Sequence, residues 1–202
     1  SGIIQGTGTS ISGGSGNDTV SILGASQVAN NIVVGNGTND VTLGGTTTVG
    51  GNLSGGNDAD TFTMQDTAAL TGNVNAGTGD DVLNLNGGTI GGDVTTVGGM
   101  DTVNIGGTAI TGEVDTGVDN DTVVMTGGSI GTAGANENLD TGNGDDTVTF
   151  DGGTIFGNID TRGGDDTVNL GGGTLTGIVD LNVATPGGQD TVNFTGGTTT
   201  IS

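Results

Sequence analysis

Acidic residues recur at one position of a repeated sequence unit, and their spacing suits the binding of metal ions. The residue two places before the apolar anchor of each unit is Asp in eight of nine copies and Asn39 in the other. In seven copies a Gly lies two places further upstream. The recurring aspartates are Asp18, Asp60, Asp81, Asp101, Asp121, Asp146, Asp166 and Asp190. Because Ca²⁺ binds about six to eight oxygens from carboxylates and backbone carbonyls, this pattern predicts a row of calcium sites.

Very little positive charge is available within the chain to balance these carboxylates. The 202 residues include 23 Asp plus Glu and a single basic residue, Arg162, which gives a formal net charge of -22. Aspartates stacked about 4.8 Å apart would repel one another by about 3–4 kcal/mol at an effective dielectric constant of about 20. Either water and salt screen the charges, as in ordinary Asx/Gly turns, or cations lie between them. We predict Ca²⁺, with the preceding residues Asp80, Asp145 and Asp165 as additional ligands.

The composition excludes several other classes of protein. With no Cys and no His, the chain cannot form a disulfide, a zinc site of the usual ligands, or a catalytic centre of the Ser-His-Asp or Cys-His type. One basic residue is too few to neutralise the phosphates of a nucleic acid. No apolar run approaches the roughly 20 residues that span a bilayer, so we expect no membrane insertion.

Four apolar columns recur with the aspartates and define the repeat. The anchors are Val20, Val41, Phe62, Leu83, Val103, Val123, Val148, Val168 and Val192. A second apolar residue follows each anchor by two places, which is the alternation of a β-strand with one buried face. A coil of about 20 residues cannot bury its apolar face alone, whereas stacked coils can. We therefore predict an all-β fold, a single parallel β-solenoid (β-helix or β-roll) of about nine coils of 20–21 residues, expected to be right-handed.

Glycine pairs and two insertions mark the corners of the predicted coils. Pairs such as Gly87 and Gly88 separate the strand segments, because glycine permits tight turns. Extra residues between 130 and 139, and between 179 and 192 where Pro186 lies, predict corner insertions. We expect one repeat domain over residues 1–202, uncapped at both ends. Uncapped coils expose strand edges, so we also expect end-to-end self-association into fibres.

A short glycine-aspartate motif resembles that of a known family. Residues 13–21 have the sequence GGSGNDTVS, which fits the G-G-x-G-x-D-x-U-x pattern of RTX calcium-binding repeats at every fixed position. The longer unit at residues 77–90 resembles the variant repeats of large bacterial secreted adhesins, including their ice-binding regions. The resemblance covers nearly the whole chain and implies one calcium turn per coil, with the last Asp of the turn as a ligand. The chain departs from the pattern at Asn39 and within residues 97–101, 117–121 and 186–190.

These features predict a non-enzymatic structural module of a secreted or cell-surface bacterial protein. The module would be a spacer, a matrix component or a filament-forming segment that Ca²⁺ makes rigid after export. We expect a partner at the cell surface or in a biofilm matrix, of unknown identity. One alternative is an ice-binding solenoid, because Thr and Asn recur at outward strand positions such as Thr61 and Thr63. Another is a polysaccharide-binding or polysaccharide-cleaving β-helix, although aromatic residues are only 2% of the chain.

A second set of acidic residues follows the fourth apolar column. Its members are Asp115, Asp140, Asp160 and Asp180. Four successive carboxylates on one corner could bind a second row of cations. We favour a solvated face for them, since charged side chains at the outside of a turn are ordinarily hydrated.

Overall fold

A computed structural model of the chain describes residues 3–4, 9–181 and 188–201. Those residues form no helix, and hence none that is long and apolar enough to cross a membrane. All strand pairs in the described ranges are parallel. The predicted all-β parallel β-solenoid is therefore the observed fold.

Three rows of short strands stack along the solenoid. The first row carries the anchors and contains Thr19–Ile22, Asp40–Leu43, Thr61–Met64, Val82–Leu85, Thr102–Ile105, Thr122–Ile130, Thr147–Ile155, Thr167–Leu170 and Thr191–Phe194. The second row contains Ile3–Ile4, Gln27–Val28, Thr48–Val49, Ala69–Leu70, Thr89–Ile90, Ala109–Ile110, Gly173–Leu175 and Thr199–Ile201. The third row contains Thr9–Ser15, Asn31–Asn36, Leu53–Gly56, Val74–Gly77, Val94–Thr95, Val114–Asp115, Leu139–Asp140, Ile159–Asp160 and Val179–Asp180.

Two long strands join the first and second rows. Thr122–Ile130 and Thr147–Ile155 run through both rows, so these rows form one 17-stranded sheet, whereas the third row is a separate 9-stranded sheet. All nine anchors pair in register in eight successive steps, from Val20 with Val41 to Val168 with Val192. The predicted register of the repeat is confirmed.

The first predicted insertion is a turn outside the stacked strands. Around it, the N–H of Ala135 donates to the carbonyl of Thr132 (3.0 Å), and Leu139 returns to register opposite Val114. The second predicted insertion, with Pro186, lies largely at residues 182–187, outside the described residues. Register is kept across it, because Val168 still pairs with Val192.

The four apolar columns form a continuous narrow core. The anchors from Val41 to Val168 are at most 2% exposed, and the other columns are buried to a similar degree through most of the stack. The expectation of a core position is wrong for Val192 and Phe194, which are both exposed. The first-row strand that contains them packs, among the described residues, against a neighbouring coil on one side only.

Candidate cation site

The recurring aspartates lie in the turn that leads from the third row to the first row of the next coil. Their side chains point into the solenoid, and we call them, with Asn39, the inner column. Six members are at most 1% exposed: Asp60, Asp81, Asp101, Asp121, Asp146 and Asp166. Asn39 is also buried, whereas Asp18 and Asp190, near the two ends of the described stack, are half-buried. These carboxylates are therefore part of the interior and not of a solvated edge.

One oxygen of each inner residue links it to the coil before. The Oδ1 atom accepts a hydrogen bond from the backbone N–H of the inner residue one coil earlier, as between Asp81 N and Asp101 Oδ1 (2.8 Å). The same bond recurs at 2.7–3.0 Å along the whole column, from Asp18 to Asp190. The inner column is thus a continuous ladder that joins successive coils.

The other oxygen is left without a backbone donor in most coils. The Oδ2 atoms of five inner aspartates are buried and accept no backbone hydrogen bond: Asp81, Asp101, Asp121, Asp146 and Asp166. The last four have a threonine hydroxyl beside the carboxylate, which lowers its pKa as a weak donor would: Thr96, Thr116, Thr141 and Thr161 respectively. Asp81 has no such donor. Asp60 differs, since its Oδ2 accepts the N–H of Gly56 (3.3 Å). A buried unpaired carboxylate oxygen is costly, so each of these positions calls for a proton or a cation.

Burial changes the acidity of the inner column. Desolvation raises the pKa of Asp81 and of Asp121 to about 7, and that of Asp146 to about 6. It also raises the pKa of Asp60, Asp101 and Asp166. For Asp81, Asp121 and Asp146, the neighbouring carboxylates of the column add to the effect. The charged form of the column is therefore disfavoured unless positive charge is supplied.

Asn39 shows what surrounds the second oxygen position. Its Oδ1 accepts the N–H of Asp18 (2.9 Å), as the Oδ1 of an inner aspartate would. Its Nδ2 donates to the carbonyl oxygens of Gly35 (2.9 Å) and Gly37 (2.7 Å) and to Asp60 Oδ1 (2.9 Å). In this coil the turn thus directs two backbone carbonyl oxygens at the position that corresponds to Oδ2 of an inner aspartate. A set of acceptors of this kind fits a hard cation such as Ca²⁺.

The additional predicted ligands have a different environment. Asp80, Asp145 and Asp165 are exposed on the outside of the turn. The Oδ1 of each accepts a backbone N–H from the following coil, at 2.8–2.9 Å. Within the described ranges, no three acidic side chains converge closely enough to form a metal site by themselves. A cation at the inner column would therefore need backbone carbonyls for much of its coordination.

The backbone of the turn is left-handed four and two residues before seven of the nine inner residues, but not before Asp60 or Asp190. Before Asp81 these are Gly77 (φ 111°) and Gly79 (φ 123°), and glycine adopts such angles without strain. In later coils the same two positions carry Val97 (φ 75°) and Asp119 (φ 76°). The left-handed backbone is therefore kept at these two positions although the glycine is lost.

A fifth inward column, which the sequence analysis missed, faces the inner aspartates. It lies two residues after the fourth apolar column, and its buried members are Val34, Ala76, Thr96, Thr116, Thr141 and Thr161. At Gly13 and Gly55 of this column a Cβ atom would collide with Oδ2 of Asp18 and Asp60 respectively. The period-2 alternation from the fourth column could have located it, but a threonine in that place is typical of an exposed strand position.

The second acidic set is partly buried, contrary to the expected solvated face. Asp140 is 7% exposed, and the guanidinium of Arg162 binds both its carboxylate oxygens, with Nε at 2.7 and 2.8 Å. Burial raises the pKa of Asp115 and Asp160 on the neighbouring coils. The single basic side chain of the protein therefore neutralises part of this second row.

The fold and the turn together define a parallel β-solenoid with a buried acidic column along one corner. No protein-family model matches the chain, and no curated protein matches it in sequence. Among solved structures, the chain is similar to the crystal structure of a hyperactive, Ca²⁺-dependent, β-helical antifreeze protein from an Antarctic bacterium. The sequence identity is 22% and the TM-score is 0.43. The similarity covers 95% of this chain but 59% of the antifreeze protein, so this chain spans less than two thirds of the length of that protein. Similarity at this level does not transfer a function to this chain.

Proposed function

We propose that this chain is a structural module of a secreted or cell-surface bacterial protein, made rigid by Ca²⁺ bound at the inner column. The observation that carries the proposal is the row of six buried aspartates, of which five have an Oδ2 atom with no backbone donor. The charge of -22 adds to it, because the chain has one basic residue and Arg162 is already bound to Asp140. When bound, Ca²⁺ would supply the positive charge that the column lacks.

The residues that would hold the ion are the inner aspartates and the backbone carbonyls of their own turns. The ladder of Oδ1 bonds fixes each carboxylate in place, so its second oxygen is held towards the turn. Rigid placement of this kind reduces the entropy that binding has to overcome. Ion binding would thereby couple one coil to the next and stabilise the folded solenoid over the open chain.

The test compares the protein in excess EGTA with the protein in millimolar Ca²⁺, with Mg²⁺ as the control for general ionic effects. We expect the β-sheet circular dichroism signal and the melting temperature to rise with Ca²⁺ much more than with Mg²⁺. Equal signal and equal melting temperature in EGTA and Ca²⁺ would overturn the proposal.

Two adjacent aspartates provide a matched pair of variants for the same experiment. Asp146 is buried in the inner column, and Asp145 is exposed on the outside of the turn. Asp146→Asn should reduce the number of bound Ca²⁺ ions, whereas Asp145→Asn should have a smaller effect. An equal loss in the two variants would assign the ion to the outside of the turn instead.

Association of copies end to end is a further part of this proposal. The last described coil exposes Val192, Phe194 and Ile201, with Phe194 76% exposed. A second copy stacked on this surface would cover the apolar side chains and pair with the exposed strand edges. Such stacking would produce a filament, which suits a spacer or matrix role outside the cell.

Ice binding is the second candidate function, supported by the outward side chains of the first row. Thr102, Thr122, Thr147 and Thr167 pair in register on successive coils. On the same face, Asn104 Nδ2 donates to Asn84 Oδ1 (3.0 Å), which holds both amides in place. A repeating array of hydroxyls and fixed amides is a surface on which water can be ordered. Thermal hysteresis and faceted ice crystals would favour this function, and their absence at high protein concentration would exclude it.

A further inference from the structure

We propose that the side-chain amide of Asn39 takes the place of the bound cation in its own coil, so that this part of the solenoid is held without an ion. The inference rests on the proposed calcium function, but it concerns one residue and can fail separately. It assigns a specific role to the one member of the inner column that is not aspartate.

The orientation of the amide follows from its neighbours. The backbone N–H of Asp18 can only donate, so the Asn39 atom that lies 2.9 Å from it is the oxygen. The other atom is therefore the nitrogen, and it faces the carbonyl oxygens of Gly35 and Gly37, which can only accept. The amide nitrogen of Asn39 therefore donates to backbone oxygens to which the carboxylate of an aspartate could not donate.

The equivalent position in the later coils holds a buried carboxylate oxygen with no backbone donor. Asn39 and Asp81, for example, both use Oδ1 for the N–H of the preceding coil. At Asp81 the second atom is a buried oxygen with no hydrogen-bond partner, whereas at Asn39 it is a nitrogen with three acceptors within hydrogen-bond distance. The inner residue therefore needs a positively charged ligand where its second atom is a carboxylate oxygen, and none where that atom is an amide nitrogen bonded to the backbone.

Asp60, in the next coil, is also fully hydrogen-bonded by the chain. Its Oδ1 accepts both the backbone N–H (2.8 Å) and the amide Nδ2 (2.9 Å) of Asn39, and its Oδ2 accepts the N–H of Gly56 (3.3 Å). Both carboxylate oxygens of Asp60 therefore have donors. The coils of Asn39 and Asp60 form a pair that is stable without an ion, and the dependence on Ca²⁺ begins at Asp81.

The experiment exchanges the two side-chain types in both directions. Asn39→Asp should bind about one more Ca²⁺ per chain, because it creates another oxygen-lined turn. In EGTA it should melt lower than the wild type by roughly 2–4 °C or more. Asp81→Asn is the matched reverse variant, which should bind about one ion fewer and melt higher than the wild type in EGTA.

The outcomes separate the two proposals. If the wild type binds no Ca²⁺, the calcium function fails, while the melting temperatures in EGTA still test the amide as a donor. If the wild type binds Ca²⁺ but Asn39→Asp gains no ion and melts as before in EGTA, the role of Asn39 is wrong. Should Asn39→Asp fail to fold in EGTA, Asp81→Asn remains informative, and a lower melting temperature for it than for the wild type would overturn the inference.

Discussion

Val97 is a β-branched residue in a backbone conformation that glycine normally occupies. Its φ is 75°, four residues before Asp101, where earlier coils have Gly14, Gly35 and Gly77. A non-glycine residue in the left-handed region costs about 1–3 kcal/mol. The side chain contributes little burial energy to offset this cost, because it is 45% exposed. The turn is therefore imposed on Val97 by the stacked coils on either side.

Replacing this valine should stabilise the protein. We expect Val97→Gly to raise the free energy of unfolding by about 1 kcal/mol, because relief of strain outweighs the extra flexibility of glycine in the unfolded chain. Val118 is the matched control, since it is 47% exposed and is not among the residues with positive φ. Val118→Gly should destabilise. Thermal melting of both variants measures the difference, and a loss of stability in Val97→Gly would contradict the prediction.

At the scale of an element, the inner column is the feature that makes stability depend on pH. The folded pKa of Asp81 and Asp121 is about 7, against an ordinary value of 3.8. The folded state therefore binds more protons than the unfolded state between these values. The stabilisation from protonation is complete below about pH 4 and is lost as the pH rises through about 7.

The calcium-free protein should therefore be more stable in mild acid than at neutral pH. In EGTA, we expect the melting temperature to fall as the pH rises from about 4 to about 7. With Ca²⁺ present the trend should weaken or reverse, because ion binding requires deprotonated carboxylates. Asp81→Asn should reduce the slope in EGTA. A melting temperature that rises with pH in EGTA would show that the column is not buried as described.

The strands were predictable from the sequence, and the environment of the carboxylates was not. Val-x-Leu alternation at a constant spacing locates the strand rows, because only one pairing register keeps all the apolar side chains on the buried face. An Asp beside Gly, by contrast, is typical of an exposed turn. Asp81 is buried because its Oδ1 bonds to Asp60 and its turn is covered by coils on both sides. Contacts of this kind join residues about 20 apart, and no local pattern records them.

At the scale of the whole molecule, the proposed end-to-end association can be tested at Phe194 of the last described coil. Phe194→Glu should reduce the formation of long particles, because a charge at the contact would have to be buried. Met100→Glu is the control, since Met100 is 61% exposed and precedes Thr102–Ile105, a strand that pairs with neighbouring coils on both sides. Sedimentation and negative-stain imaging in Ca²⁺ measure the outcome. Equal assembly of the two variants would contradict stacking through Phe194.

The direction of the hydrogen bonds has a mechanical consequence. Backbone bonds such as Thr102 N to Asp81 O, and the ladder of the inner column, all join one coil to the next and therefore lie along the stack. Tension applied along that axis would load the coils in series, and the weakest coil would yield first. Each coil of about 20 residues would then release about 70 Å of extended chain. A module of this kind would absorb mechanical work in discrete steps, and the occupancy of the inner column would set the force at which each step occurs.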